Sequence, residues 1–188
     1  MAFQFTHRAP VLALLGGLSG LLGTIFLGGN YGNAPQLGAY MVLAGLWFGL
    51  AIGFAIWRWS STPIAAAAMT VLITWIGWEA AINVALQIDR PWPEAIEIAS
   101  VHKYYITGFM AGAVGAAITW AGVAIHFPAL RCARAAATVT ATGAVLGLLL
   151  PVTNIVDSGW ILLLPWQAGV AAIIGLHLPS PQYGDALA

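Results

Sequence analysis

Charge is what this chain has least of. Six basic and six acidic residues make up 6% of 188 positions, where soluble domains carry about 25%. With 61% hydrophobic residues and a mean hydropathy of +0.89, the chain falls outside the soluble globular class. A net charge of zero removes the electrostatic case for nucleic acid and for a polybasic membrane patch. A single cysteine, Cys132, excludes an internal disulfide and a metal cluster built on thiolates; in its short basic turn it reads as a reduced thiol. No G-x-x-x-x-G-K-[ST], G-x-S-x-G or H-E-x-x-H pattern occurs, and the four histidines offer no H-x-x-x-H pair. Ser19 is a lone intramembrane hydroxyl with no helix-borne histidine at the bundle centre to activate it. Enzymatic chemistry is therefore the disfavoured class.

What remains is apolar sequence in lengths that match a bilayer. Six stretches, at 11–29, 37–57, 63–88, 104–127, 135–152 and 159–178, each suit a hydrocarbon layer of ~30 Å. The expectation is one all-α domain over residues 1–188, a polytopic membrane protein with six transmembrane helices. The first stretch exceeds the h-region of a signal peptide and reads as a retained helix. Gly45, Gly49 and Gly53 form a small-residue ridge suited to close helix packing. Pro91 and Pro93 flank Trp92 and stop the third helix, since each removes a backbone donor and restricts its predecessor. Residues 95–100 suggest a short interfacial piece before the fourth. Arg8, Arg58, Arg131 and Arg134 fall on one side and only Arg90 and Lys103 on the other. The positive-inside rule then places both termini in the cytoplasm, and the short loops favour a bacterial inner membrane.

The third helix carries the feature that points to function. Glu79 sits about nine residues, or ~13 Å, from its outer end. Asn83, Gln87 and Arg90 follow along one narrow helical stripe. An ionisable group at that depth costs about 2.5–3.5 kcal/mol on insertion scales and marks a functional-site hypothesis by default. Gln167 in the sixth helix repeats the pattern, each polar residue following a tryptophan (Trp78-Glu79, Trp166-Gln167). Pro165 beside Gln167 predicts a kink, and Pro151 predicts a break at the outer end of the fifth helix.

Those Trp-polar pairs extend a likeness between the two halves. Gly17-x-x-Gly20-x-x-x-Thr24 matches Gly112-x-x-Gly115-x-x-x-Thr119, and Gly45-x-x-x-Gly49 matches Gly143-x-x-x-Gly147. Three helices per half would make this a 3+3 inverted repeat, with Glu79 meeting Gln167 near the bundle centre. Chance is the competing account, because glycine and alanine are abundant. The Asn-Pro-Ala signature of aquaporins is absent.

Three functions stay open. The first is a transporter or channel for a small solute or ion, with Glu79 protonatable and Asn83 and Gln167 as hydrogen-bonding partners. The second is a non-transporting accessory or assembly subunit, as a homo-oligomer or in a larger membrane complex. The third is a redox protein with haem b between His126 and His177, which fall at one level near the cytoplasmic ends of their helices. No cofactor or metal is called for by the leading reading. The first two readings differ in what should surround Glu79: a hydrated cavity in one, dry protein in the other.

Overall fold

In a computed structural model, residues 8–27, 38–59, 64–89 and 100–178 are described. They form helices α1 (Arg8–Ile25), α2 (Leu43–Trp59), α3 (Ile64–Asp89), α4 (Ser100–Ala124), α5 (Ala133–Gly147), α6 (Leu150–Val156) and α7 (Trp160–His177). No strand occurs among the described residues. Five spans (α1, α3, α4, α5 with the first turn of α6, and α7) are long and apolar enough to cross a bilayer, and α2 is a shorter apolar helix of 17 residues. The chain is thus an all-helical protein of integral-membrane type. Arg90, residues 91–99, His7 and the tail beyond Leu178 lie outside the described residues, and with them all but Ser100 of the expected interfacial piece.

The helices close into a ring in chain order, α1-α2-α3-α4-α5-α7 and back to α1. Small residues set every seam, because apolar lipid leaves close backbone packing as the main drive for helix association. A Cβ on Gly20 would lie 2.6 Å from the Leu163 carbonyl oxygen, and one on Gly175 would lie 2.6 Å from the Ala9 Cα. Gly49 and Gly53 fit α2 against Val71 and Ala67 of α3, which bears out the packing ridge. Along each seam one helix's numbering rises as the other's falls. Gly77 meets Ile118 while Gly122 meets Ile73, and Gly108 meets Gly147 while Gly112 meets Gly143. All six neighbours are therefore antiparallel. Arg8, Arg58, Arg131 and Arg134 gather at one end of the ring, where the Arg8 guanidinium lies 5.3 Å above the Trp59 ring. Asp89 and Lys103 pair at the opposite end, 3.9 Å apart.

This ring order does not carry the inverted repeat. Superposable triplets must run in the same sense when each is viewed from the membrane face where it starts. In a ring closed in chain order, 1-2-3 and 4-5-7 run in opposite senses from those faces. The two triplets are mirror arrangements, and a twofold axis in the membrane plane cannot relate proteins of one chirality that way. The glycine likenesses reflect a shared packing requirement at each seam.

Two local differences from the sequence reading have clear causes. Helix α2 starts at Leu43, not near residue 37, because residues 38–42 are held in a non-helical path along α3. The fifth stretch does break as expected: α5 ends at Gly147, and Pro151 stands in the first turn of α6, where a missing N–H leaves no bond unmade. Asp157 ends α6 in the left-handed region (φ 50°), and its neighbour Ser158 donates back to the Thr153 carbonyl at 3.2 Å.

The core is lopsided along the ring axis. Toward the arginine end it is filled by Phe48, Ile52, Ile56, Leu130, Val139 and Ile174, each 1% exposed or less. At mid-depth Trp78 and Trp166 meet edge to face, ring centroids 5.4 Å apart, with Phe48 against Trp166 at 5.7 Å. Beyond that pair, toward the far end, the axis opens into a cavity of about 130 Å³.

Candidate functional site: a polar ladder on α3

Three residues one turn apart, Trp75, Glu79 and Asn83, present side chains to the segment that leads into α2. Glu79 accepts two backbone N–H groups, from Tyr40 at 2.5 Å and Val42 at 2.8 Å, one on each carboxylate oxygen. Both amides can converge on one carboxylate because Met41, between them, has φ 54°. A left-handed residue between two N–H groups turns them to the same side, forming a small concavity of donors that suits an anionic group. For a non-glycine residue that conformation costs about 1–2 kcal/mol, so the contacts around it must hold it in place.

Asn83 continues the ladder. Its Oδ1 accepts the Gly38 N–H at 2.9 Å, and its Nδ2 donates to the Gly38 carbonyl at 2.8 Å and to the Glu79 carbonyl at 2.7 Å. The amide thus pairs with Gly38 in both directions, as a neighbouring strand would. One turn the other way, the Trp75 indole donates to the Val42 carbonyl at 3.0 Å. Leu43 completes the anchoring by donating to the Leu27 carbonyl at 2.8 Å.

The physical need for this ladder is depth. Glu79 stands ten positions before Asp89, which places the start of α2 about 15 Å inside the end of α3. Non-helical backbone is tolerated at such depth only where protein groups satisfy its N–H and C=O, since hydrocarbon offers no replacement. The α3 side chains supply those partners. The next residue on the stripe, Gln87, has its Nε2 buried without a partner in the structure.

Gln167 does not meet Glu79. It is fully buried between helices, accepting from the Ser19 hydroxyl at 2.5 Å and donating to the Ala44 carbonyl at 3.3 Å. Ser19 also lies 2.7 Å from the Gly16 carbonyl, so its single proton is shared or alternates between two acceptors. What the two polar residues have in common is their target. Glu79 holds the Val42 N–H and Gln167 holds the Ala44 carbonyl, so both fasten the first turn of α2 from different sides. The expected partnership between them is replaced by this shared clamp.

The two histidines of the haem reading, His126 and His177, lie toward the arginine end and have different surroundings. His177 Nε2 lies 2.8 Å from Thr138 Oγ1, while His126 Nε2 is buried with no partner in the structure. Leu130, Val139 and Ile174 belong to the packed core at that end. His126, just outside α4, has its pKa lowered by burial and then by the nearby Arg131 charge. Among the described residues no three His, Cys, Asp or Glu side chains cluster as metal ligands would.

Sequence reading singled out Glu79, Asn83 and Gln167, weighed Ser19 only as a nucleophile, and missed the roles of Trp75 and of the backbone of Gly38, Tyr40 and Val42. The available signal was the Trp75–Glu79–Asn83 spacing of four, next to an uncharged connection rich in Gly, Asn and Pro. A stripe of acceptors and donors beside a segment that cannot form its own helix is a pairing that sequence can suggest. No family model matches the chain, and no curated protein or solved structure shows significant similarity to it.

Proposed function

We propose that this chain is a non-transporting subunit that works by association within the bilayer, as a homo-oligomer or within a larger membrane complex. One observation carries the reading: the deep polar residues serve the protein's own backbone. Both oxygens of Glu79 hold amides of the α2 lead-in, and Asn83 is paired with Gly38. A solute-handling acid needs an aqueous path, whereas the cavity on the ring axis is lined by apolar and small residues and ends on the Trp78–Trp166 pair. The arginine end supports a bacterial inner-membrane placement with both termini cytoplasmic and six crossings, α2 included.

The test has two readouts. Purified protein in liposomes should pass protons, sodium and potassium no faster than empty vesicles, for the wild type and for Glu79→Gln alike. Cross-linking in native membranes should trap the chain in species larger than the monomer. A flux that is present in the wild type and lost in Glu79→Gln, with the variant folded, would restore the transport reading with Glu79 as its protonatable group. A strictly monomeric chain would remove the association reading.

A further inference from the structure

The cavity on the ring axis is unlike the rest of the interior, and its position identifies an occupant. Its walls come from Ala81, Ala85, Ala111, Gly115 and Leu162, with Trp78 and Trp166 as its floor, and it is open rather than sealed. The space exists because small residues bring α3, α4 and α5 together without filling the axis. At Gly115 an added Cβ would already touch Ala81 and the Trp166 ring at 3.4 Å. Of the two floor indoles, Trp166 donates to the Gly143 carbonyl at 2.9 Å and the Trp78 N–H is buried without a partner, so the lining exposed to the well is almost wholly apolar. An apolar cavity of this kind stays dry, and one of ~150 Å³ takes a benzene-sized molecule. A volume of about 130 Å³ therefore holds on the order of six carbons.

We propose that this well binds one acyl chain of a bilayer phospholipid from the leaflet at the far end, with the chain terminus resting on the Trp78–Trp166 pair. Three observations favour a lipid chain over a small aromatic solute or a protein side chain. Its lining reaches from the Ala85 level to the Trp78 level of α3, about 10 Å along the bundle axis, an extent that matches a short run of extended chain. Its floor lies at mid-depth of α3, where the tail of a far-leaflet lipid ends. The medium around the protein supplies that hydrocarbon at high concentration, so filling needs no polar recognition.

The experiment uses the full chain in phosphatidylcholine nanodiscs doped with phosphatidylcholine carrying a diazirine at the terminus of one acyl chain. Photolysis should place adducts on the peptides spanning 78–85 and 108–115, at residues that line the well. A probe with the diazirine near the headgroup should shift the adducts toward Ala85 and Leu150. Ala111→Phe, which fills the space, should abolish the well adducts while sparing those on lipid-facing Leu14 and Leu72. If that variant fails to fold, Ala85→Leu narrows the well at its far side and should have the same effect. Adducts confined to Leu14, Leu72 and similar outward positions would overturn the proposal, as would well adducts that a folded, filled variant leaves unchanged.

Discussion

Trp78-Glu79 on α3 and Trp166-Gln167 on α7 begin alike and resolve differently. In both, the tryptophan reaches the ring axis and the next residue, 100° further round the helix, points away from it. The two helices run in opposite directions, so the same step along the chain turns in opposite senses around the ring. Both polar side chains consequently arrive on the α1–α2 side. There they meet different neighbours. Glu79 faces non-helical backbone with N–H groups to satisfy, and Gln167 faces a fully packed seam with one hydroxyl and one carbonyl. An acid fits the first, because it is acceptor-only when ionised and can take one amide on each oxygen; an amide fits the second, because it must accept and donate at once. Residue type thus follows the partner's chemistry.

The comparison can be broken at its stronger end. Glu79→Ala removes the acceptor that the Tyr40 and Val42 amides share, and losing a partner for a buried donor costs about 1–3 kcal/mol. A loss of about 2–5 kcal/mol is expected by denaturant unfolding in mixed micelles, together with faster hydrogen exchange at those two amides. Unchanged exchange at Tyr40 and Val42 would mean that the carboxylate does not hold the segment. Gln167→Leu should cost less, about 1–2 kcal/mol, since Ser19 keeps the Gly16 carbonyl as acceptor and only the Ala44 carbonyl is left without the side chain. An effect equal to that of Glu79→Ala would erase the distinction between the two sites.

Smaller effects sharpen it. Met41→Gly should stabilise by up to about 1 kcal/mol, because glycine adopts positive φ without the Cβ clash, offset in part by its greater unfolded-state entropy. A loss instead would show that the Met41 side chain contributes more than its strained backbone takes away. The smallest expected change lies at the arginine end. His126 has a depressed pKa, so the unfolded chain binds its proton more readily. Its contribution is intact above the ordinary histidine value near 6.5 and is lost progressively as pH falls below it toward the folded-state pKa. A modest fall in melting temperature between pH 7.5 and 5.5 should therefore flatten in His126→Gln. Equal slopes in the two proteins would assign the pH dependence elsewhere.

Much of this molecule was legible in the sequence. Scarce charge and six apolar stretches specify a helical membrane-type fold, since a chain in hydrocarbon must bond its own backbone. Gly45, Gly49 and Gly53 marked a seam because only small residues permit that approach, and Pro151 marked a break because it lacks a donor. Periodicity also put Glu79 and Asn83 on one stripe. It could not say which way the stripe faced, and that is a tertiary matter: a helix shows its period to every neighbour equally until the neighbours are placed. Only the packed structure brought Gly38, Tyr40 and Val42, some forty residues upstream, against α3, and it alone set the ring order that separates Glu79 from Gln167. Local chemistry determined the helices and their sticky faces. The closing of the ring decided what each face would hold.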